Sequence, residues 1–153
     1  TRATLAPVSE LRTIVTPQGT IDISSEFHEG GCTIQVINAS GTNVRRLNMP
    51  PVYYANDQFL MILRALPFAA GYQGSLVLVP SQGEPATIDS VVTVTGEETV
   101  TTPLGPIRSW RVEAQFSNSA TVQVLWYSVE APNYLVKYDN GRYIYTATQR
   151  SQQ

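Results

Sequence analysis

His28-Glu29-Gly30-Gly31-Cys32 holds the only histidine and the only cysteine of the chain. As a nucleophilic pair, the imidazole would have to sit within about 3 Å of the sulfur. As a zinc site, the segment would need three or four ligands, of which Glu26 could supply one. The local pattern argues for neither. Paired glycines accept positive φ at no steric cost and mark a tight turn. Cys32 then opens an alternating apolar series with Ile34 and Val36, so His28 and Cys32 belong to the two arms of a hairpin. A serine triad could draw only on His28, and Gly74-Ser75 lacks the rest of a nucleophile elbow. Paired carboxylates for glycoside cleavage must oppose each other, whereas the adjacent Glu97 and Glu98 would point to opposite faces of a strand. No phosphate loop or dinucleotide fingerprint occurs. The expectation is a chain that is not an enzyme, with no catalytic residue, no metal ligand and no cofactor.

The aromatic residues are more informative. Most of the eight tyrosines and two tryptophans fall late: Trp126, Tyr127, Tyr134, Tyr138, Tyr143 and Tyr145. Tyr134, Val136 and Tyr138 are spaced to share one strand face, and Tyr143 and Tyr145 to share another. Asp139-Asn140-Gly141 between them is a hairpin turn, because tight hairpins need positive φ. Facing strands would then pair these rings across the turn. A phenol joins an apolar body to a polar tip, which suits a pocket wall or a protein interface. Tyr134, Tyr138, Tyr143, Tyr145 and Trp126, with Phe59 and Leu63 from the helix described next, are the candidate ligand or interface residues.

Period-two alternation recurs along nearly the whole chain. Leu11–Val15, Thr20–Phe27, Cys32–Ile37 and Thr42–Met49 read as four strands in a meander, stopped by Pro50-Pro51. One helix is expected from Asn56 to about Leu66, with Asn56 or Asp57 as its cap. Phe59, Ile62, Leu63 and Leu66 form its apolar stripe, which Leu60 and Met61 widen, so it should be buried on more than one side. Pro67 and Gly71 end it. Strands follow at Tyr72–Val79, Thr87–Thr95, Glu97–Thr102, Ile107–Phe116, Thr121–Ser128, Tyr134–Tyr138 and Arg142–Thr148. About eleven short strands and one helix point to a mostly β fold, an antiparallel barrel or strongly curved sheet wrapped on the helix. With 153 residues and no linker or repeat, a single domain is expected, with loose ends at residues 1–6 and 149–153.

Composition narrows the partners. Charged residues make up only 14% of the chain, against roughly 25% in an average soluble domain, and polarity comes from Thr, Ser, Gln and Asn. The net charge is −2 and the ten basic residues are scattered, only Arg45 and Arg46 being adjacent, which disfavours nucleic acid and anionic membrane surfaces. No apolar run approaches the roughly 18 residues of a membrane span. The unpaired cysteine suits either the cytoplasm or an exported protein without disulfides. The first residues, Thr-Arg-Ala-Thr, suggest a processed or trimmed N-terminus.

The second half carries an ordered set of motifs. Val92–Val100 with its Gly96-Glu97 turn leads to Thr102-Pro103-Leu104-Gly105, then to Ser109-Trp110-Arg111-Val112, Leu125-Trp126-Tyr127-Ser128, Pro132 and Leu135-Val136-Lys137-Tyr138. With Leu63–Phe68 and Gly71-Tyr72, this order resembles the exported bacterial proteins grouped as domain of unknown function 3108, over roughly residues 56–148. The resemblance implies a curved β architecture and a periplasmic or extracellular location, and it brings no catalytic residues. By fold-level analogy with lipoprotein carriers, it implies a site for an acyl chain. The leading expectation is an exported, non-catalytic domain that binds a lipid or other hydrophobic small molecule between the sheet and the Asn56–Leu66 helix. The alternative is an accessory or structural subunit docking onto a larger protein complex.

Overall fold

A computed structural model describes residues 6–80 and 87–148; the expected loose ends at 1–5 and 149–153 lie outside the described residues. The chain is mostly β, with eleven strands among the described residues, and divides into two compact units. The first unit comprises residues 1–59 and 77–88, the second residues 60–76 and 89–153.

In the first unit, β1 (Ser9–Thr16), β2 (Gly19–His28), β3 (Gly31–Asn38) and β4 (Gly41–Asn48) form an antiparallel sheet in chain order. Each connection is two residues long: Thr16 pairs with Gly19, His28 with Gly31 and Asn38 with Gly41. Gly30 has φ +73°, the backbone that the Glu29-Gly30 turn requires and that a side chain would strain. Alternation places Ile23, Cys32 and Ile34 in a core with Met49 and Val79, against which Ile14, Phe27, Val36 and Leu47 pack. The Tyr53 hydroxyl lies 2.7 Å from the carbonyl oxygens of both His28 and Gly31, donating to one at a time, and so fastens the β2–β3 turn. The short β5 (Tyr54–Ala55) pairs parallel with Leu78 and Val79 of β6 (Gln73–Val79). Two residues carry no periodicity, so nothing in the residue pattern marks β5.

The second unit holds β7 (Ile88–Thr102) from Asp89 onward, β8 (Gly105–Phe116), β9 (Gln123–Ser128), β10 (Leu135–Asp139) and β11 (Ile144–Thr146). Within this unit they form a curled antiparallel sheet ordered β11-β10-β9-β8-β7. The alternation expected to make two strands of Thr87–Thr95 and Glu97–Thr102 makes one. A register shift between Val94 and Gly96 bulges β7 without breaking its ladder to β8. A bulge adds one residue, so it moves the even-numbered positions to the other face. Val94 pairs with Val112 on the face that bears Leu125, whereas Val100 pairs with Ile107 and packs with Trp126 on the opposite face.

The expected helix is shorter and more irregular than its apolar stripe suggested. A 3-10 turn at Asn56–Gln58 leads into α1 (Phe59–Ile62) and a second 3-10 turn at Leu63–Ala65. Leu63 is fully buried, but Met61 is 61% exposed, so the helix is not buried all round. The Tyr127 hydroxyl donates to the Leu60 carbonyl at 2.9 Å, and Phe68 packs on Trp110 and Tyr127 at 6.2 and 5.7 Å. Burial pushes the Tyr127 phenol up, so it stays protonated and able to donate. No helix among the described residues is long and apolar enough to cross a membrane.

Candidate functional site

The turn at Asp139-Asn140-Gly141 is built from side chains as well as backbone. Asp139 Oδ1 accepts from the Gly141 N–H at 2.8 Å, and Asn140 Oδ1 accepts from the N–H groups of Arg142 and Tyr143 at 3.0 and 2.7 Å. Gly141 takes φ +82°. This turn fixes the β10–β11 register, in which Tyr138 stands opposite Tyr145. Their rings stack at 5.8 Å and 18°, and Tyr143 leans on Tyr145 at 6.4 Å. The Arg142 guanidinium lies 5.1 Å from the centre of the Tyr143 ring, a cation–π contact. The Tyr138 hydroxyl donates to Gln123 Oε1, and burial, then the neighbouring Tyr145, pushes its phenol up. Tyr143 and Tyr145 remain 51% and 55% exposed, and Ile144 between them 61%. Three tyrosines therefore form one aromatic face, anchored at Tyr138 and open at the other two.

Tyr134 is not part of it. A register shift between Leu135 and Lys137 means that Tyr134, Val136 and Tyr138 do not share a face, contrary to their spacing. Val136 is fully buried against Trp126, Val100 and Ile107, with Tyr134 packed on the same cluster, while Tyr138 pairs opposite Leu125. Trp126 is core, its indole N–H donating to Glu98 and its ring covered by the Lys137 ammonium at 4.6 Å. A cleft beside Tyr134, lined by Pro106, Ile107, Arg108, Ser128 and Glu130, measures about 90 Å³. Small-molecule pockets run to roughly 300–1,000 Å³. Phe59 and Leu63 are also buried in the core. Of the seven residues singled out in the sequence, three come together on an exposed face.

His28 and Cys32 stand on separate arms of their hairpin, Cys32 pairing with Phe27 and His28 with Gly31. The Cys32 thiol is fully buried, and burial, then the Glu10 carboxylate, pushes it up to about 11. Such a thiol is nearly all protonated and a poor nucleophile. Among the described residues no three of His, Cys, Asp and Glu gather to hold a metal.

One polar cluster escaped the sequence reading. Glu10 and Arg12 share a face of β1, and Arg12 bridges Asp57 of the 3-10 turn, with Glu10 Oε1 3.9 Å away. Burial, then the Asp57 carboxylate, raises the Glu10 carboxyl, and Arg12 offsets part of the effect. An open cleft of about 330 Å³ runs beside them, lined by Ala6, Pro7, Val8, Glu10, Ala55 and Asp57 among others. The i, i+2 spacing of Glu10 and Arg12 was a visible signal, but their partner lies 45 residues away from Arg12.

A family model described as "Protein of unknown function (DUF3108)" matches residues 1–144, taking in the first four strands as well as the motif-bearing half. No curated protein and no solved structure matches the chain.

Proposed function

We propose, for a chain that belongs to the DUF3108 family, that it is a non-catalytic docking module working in the periplasm or outside the cell. In this reading it is an accessory or structural subunit that grips a partner protein through Tyr138, Tyr143 and Tyr145. The observation that carries it is the exposed aromatic face: half-exposed Tyr145 stacked on the anchored Tyr138, and half-exposed Tyr143 tilted against Tyr145, with Ile144 and Arg142 alongside. Tyrosine and arginine are enriched at interface hot spots, and rings already held in place lose little freedom on binding. The protonated, buried thiol of Cys32 supports a role without nucleophilic chemistry. Export rests on the motif resemblance of residues 56–148.

The lipid-binding reading ranks second. Its support is the apolar helix, but Phe59 and Leu63 are core residues and the Tyr127 hydroxyl contacts the helix backbone directly. Size exclusion with light scattering on native extract separates the two. The chain should elute with an identifiable partner, and Tyr143→Ala/Tyr145→Ala should elute alone with an unchanged circular dichroism spectrum. Elution of the wild-type chain as a free monomer, with stoichiometric lipid found by mass spectrometry of its organic extract, would put the lipid reading first.

A further inference from the structure

The sheets end in four edges, and they are not defended alike. β5 and β11 are two and three residues long, too short to template a strand. β1 is eight residues long, but it carries both charge signs, and its Arg12 is already paired with Asp57. β4 is also eight residues long, its register to β3 runs without a bulge, and it contains no proline. Every residue of β4 except Leu47 is exposed, and no strand lies on its outer side among the described residues. In an antiparallel ladder the hydrogen-bonding groups of alternate residues point to opposite sides. Every second residue of β4 therefore presents an unused N–H and C=O outward.

The charge of that edge selects its occupant. Arg45 and Arg46 are consecutive, so they project to opposite faces of the sheet at the middle of the strand. Neither makes an ion pair with a described residue, and both are exposed. We propose that β4 accepts an extended acidic segment of a partner protein as an added antiparallel strand, with Arg45 and Arg46 pairing its carboxylates on both faces. A second copy of this chain is disfavoured there. Antiparallel pairing of β4 with itself about its centre sets Arg46 opposite Asn43 and diagonal to the other copy's Arg45 on the same face. This happens twice across the dyad, a clustering of like charge that disfavours the ladder. Edge charges also serve as guards against aggregation, but a guard repels strands whatever their charge, so the two roles give different results.

The proposal goes beyond the tyrosine-face reading, because β4 lies in the first unit and the tyrosines in the second. Its test uses the full chain and a fluorescent seven-residue peptide of valines and threonines with two consecutive glutamates at its centre, one for each face, followed by anisotropy at low salt. Binding is expected, weakened by about tenfold or more when the peptide's glutamates become glutamines, and equally by Arg45→Gln/Arg46→Gln in the protein. Methylating alternate peptide amides should abolish binding, since the added strand is held by its backbone. Tyr143→Ala/Tyr145→Ala should leave peptide binding unchanged, so the two readings fail separately. The proposal is overturned by any of three results: no binding, equal binding to the double-glutamine variant, or full binding of the methylated peptide. A concentration-dependent dimer that excludes the peptide would assign the edge to a second copy and overturn it as well.

Discussion

Cys32 and Glu10 show how burial, reinforced by a neighbouring carboxylate, sets the chemistry of a side chain. With its thiol fully buried and pushed up to about 11, Cys32 should not react with a disulfide reagent at pH 8 in the native protein. It should react at once in denaturant; equal rates in both conditions would place the thiol at the surface. Glu10 titrates in the opposite sense to an ordinary salt-bridged acid. Its folded carboxyl lies above the ordinary value of 4.5, because burial and Asp57 outweigh Arg12. A raised folded value means that the native state holds the proton more tightly than the unfolded chain. The stabilisation is therefore complete below about pH 4.5 and is lost as pH rises through the folded value. Denaturation midpoints measured from pH 4 upward should fall for wild type relative to Glu10→Gln, which cannot ionise. Parallel curves for the two proteins would remove Glu10 from this role.

At the scale of elements, the helix and the two bulged strands decide most of the packing. Leu63→Ala should cost about 2–5 kcal/mol, through lost transfer energy and the cavity left behind. A loss under about 0.5 kcal/mol in urea unfolding would place Leu63 outside the core. Turns were the most legible elements. Glu29-Gly30 and Asp139-Asn140-Gly141 announce positive φ by residue type, and both hairpins form there. The bulges were not legible, because an extra residue breaks the alternation just as a turn does; Thr95-Gly96 thus read as the end of a strand. That misreading also hid the division of the late aromatics. The alternation that joined Tyr134 to Tyr138 ignored the shift at Leu135–Lys137, whereas the pairing of Tyr138 with the β11 tyrosines followed from the turn and holds. The helix fell short of its stripe because Leu66 already has an extended backbone, one residue before Pro67.

For the molecule as a whole, exposed aromatic area and stability can be separated. Tyr143 and Tyr145 are half-exposed, so replacing both with alanine should change unfolding free energy by no more than about 0.5–1 kcal/mol. Tyr138→Phe should instead cost about 0.5–1.5 kcal/mol, through the lost bond to Gln123. Chemical denaturation of the three variants checks this ordering, and a larger loss from the β11 pair than from Tyr138→Phe would make those rings structural. With charged residues at only 14% and a net charge of −2, few charges keep copies apart. Association on mild acidification, as the net charge passes through zero, should be visible by light scattering and should reverse on returning to pH 7.

The bulge in β7 gives the strand something like a reading frame. Upstream of Thr95 the even-numbered side chains belong to one layer, and downstream they belong to the other. Lengthening or shortening the loops at 117–122 or 129–133 leaves every strand in its own frame, so such changes should be absorbed. Deleting Thr95, the extra residue, would leave Val94 and Gly96 as neighbours opposite Val112 and Arg111, and so keep Val100 on the face of Trp126 and Glu98 within reach of the indole N–H. Deleting the paired Glu97 would instead shift the frame between Val94 and Val100. Variation in chain length should therefore concentrate in the loops and at the exposed, unpaired Thr95, and spare the paired positions of β7.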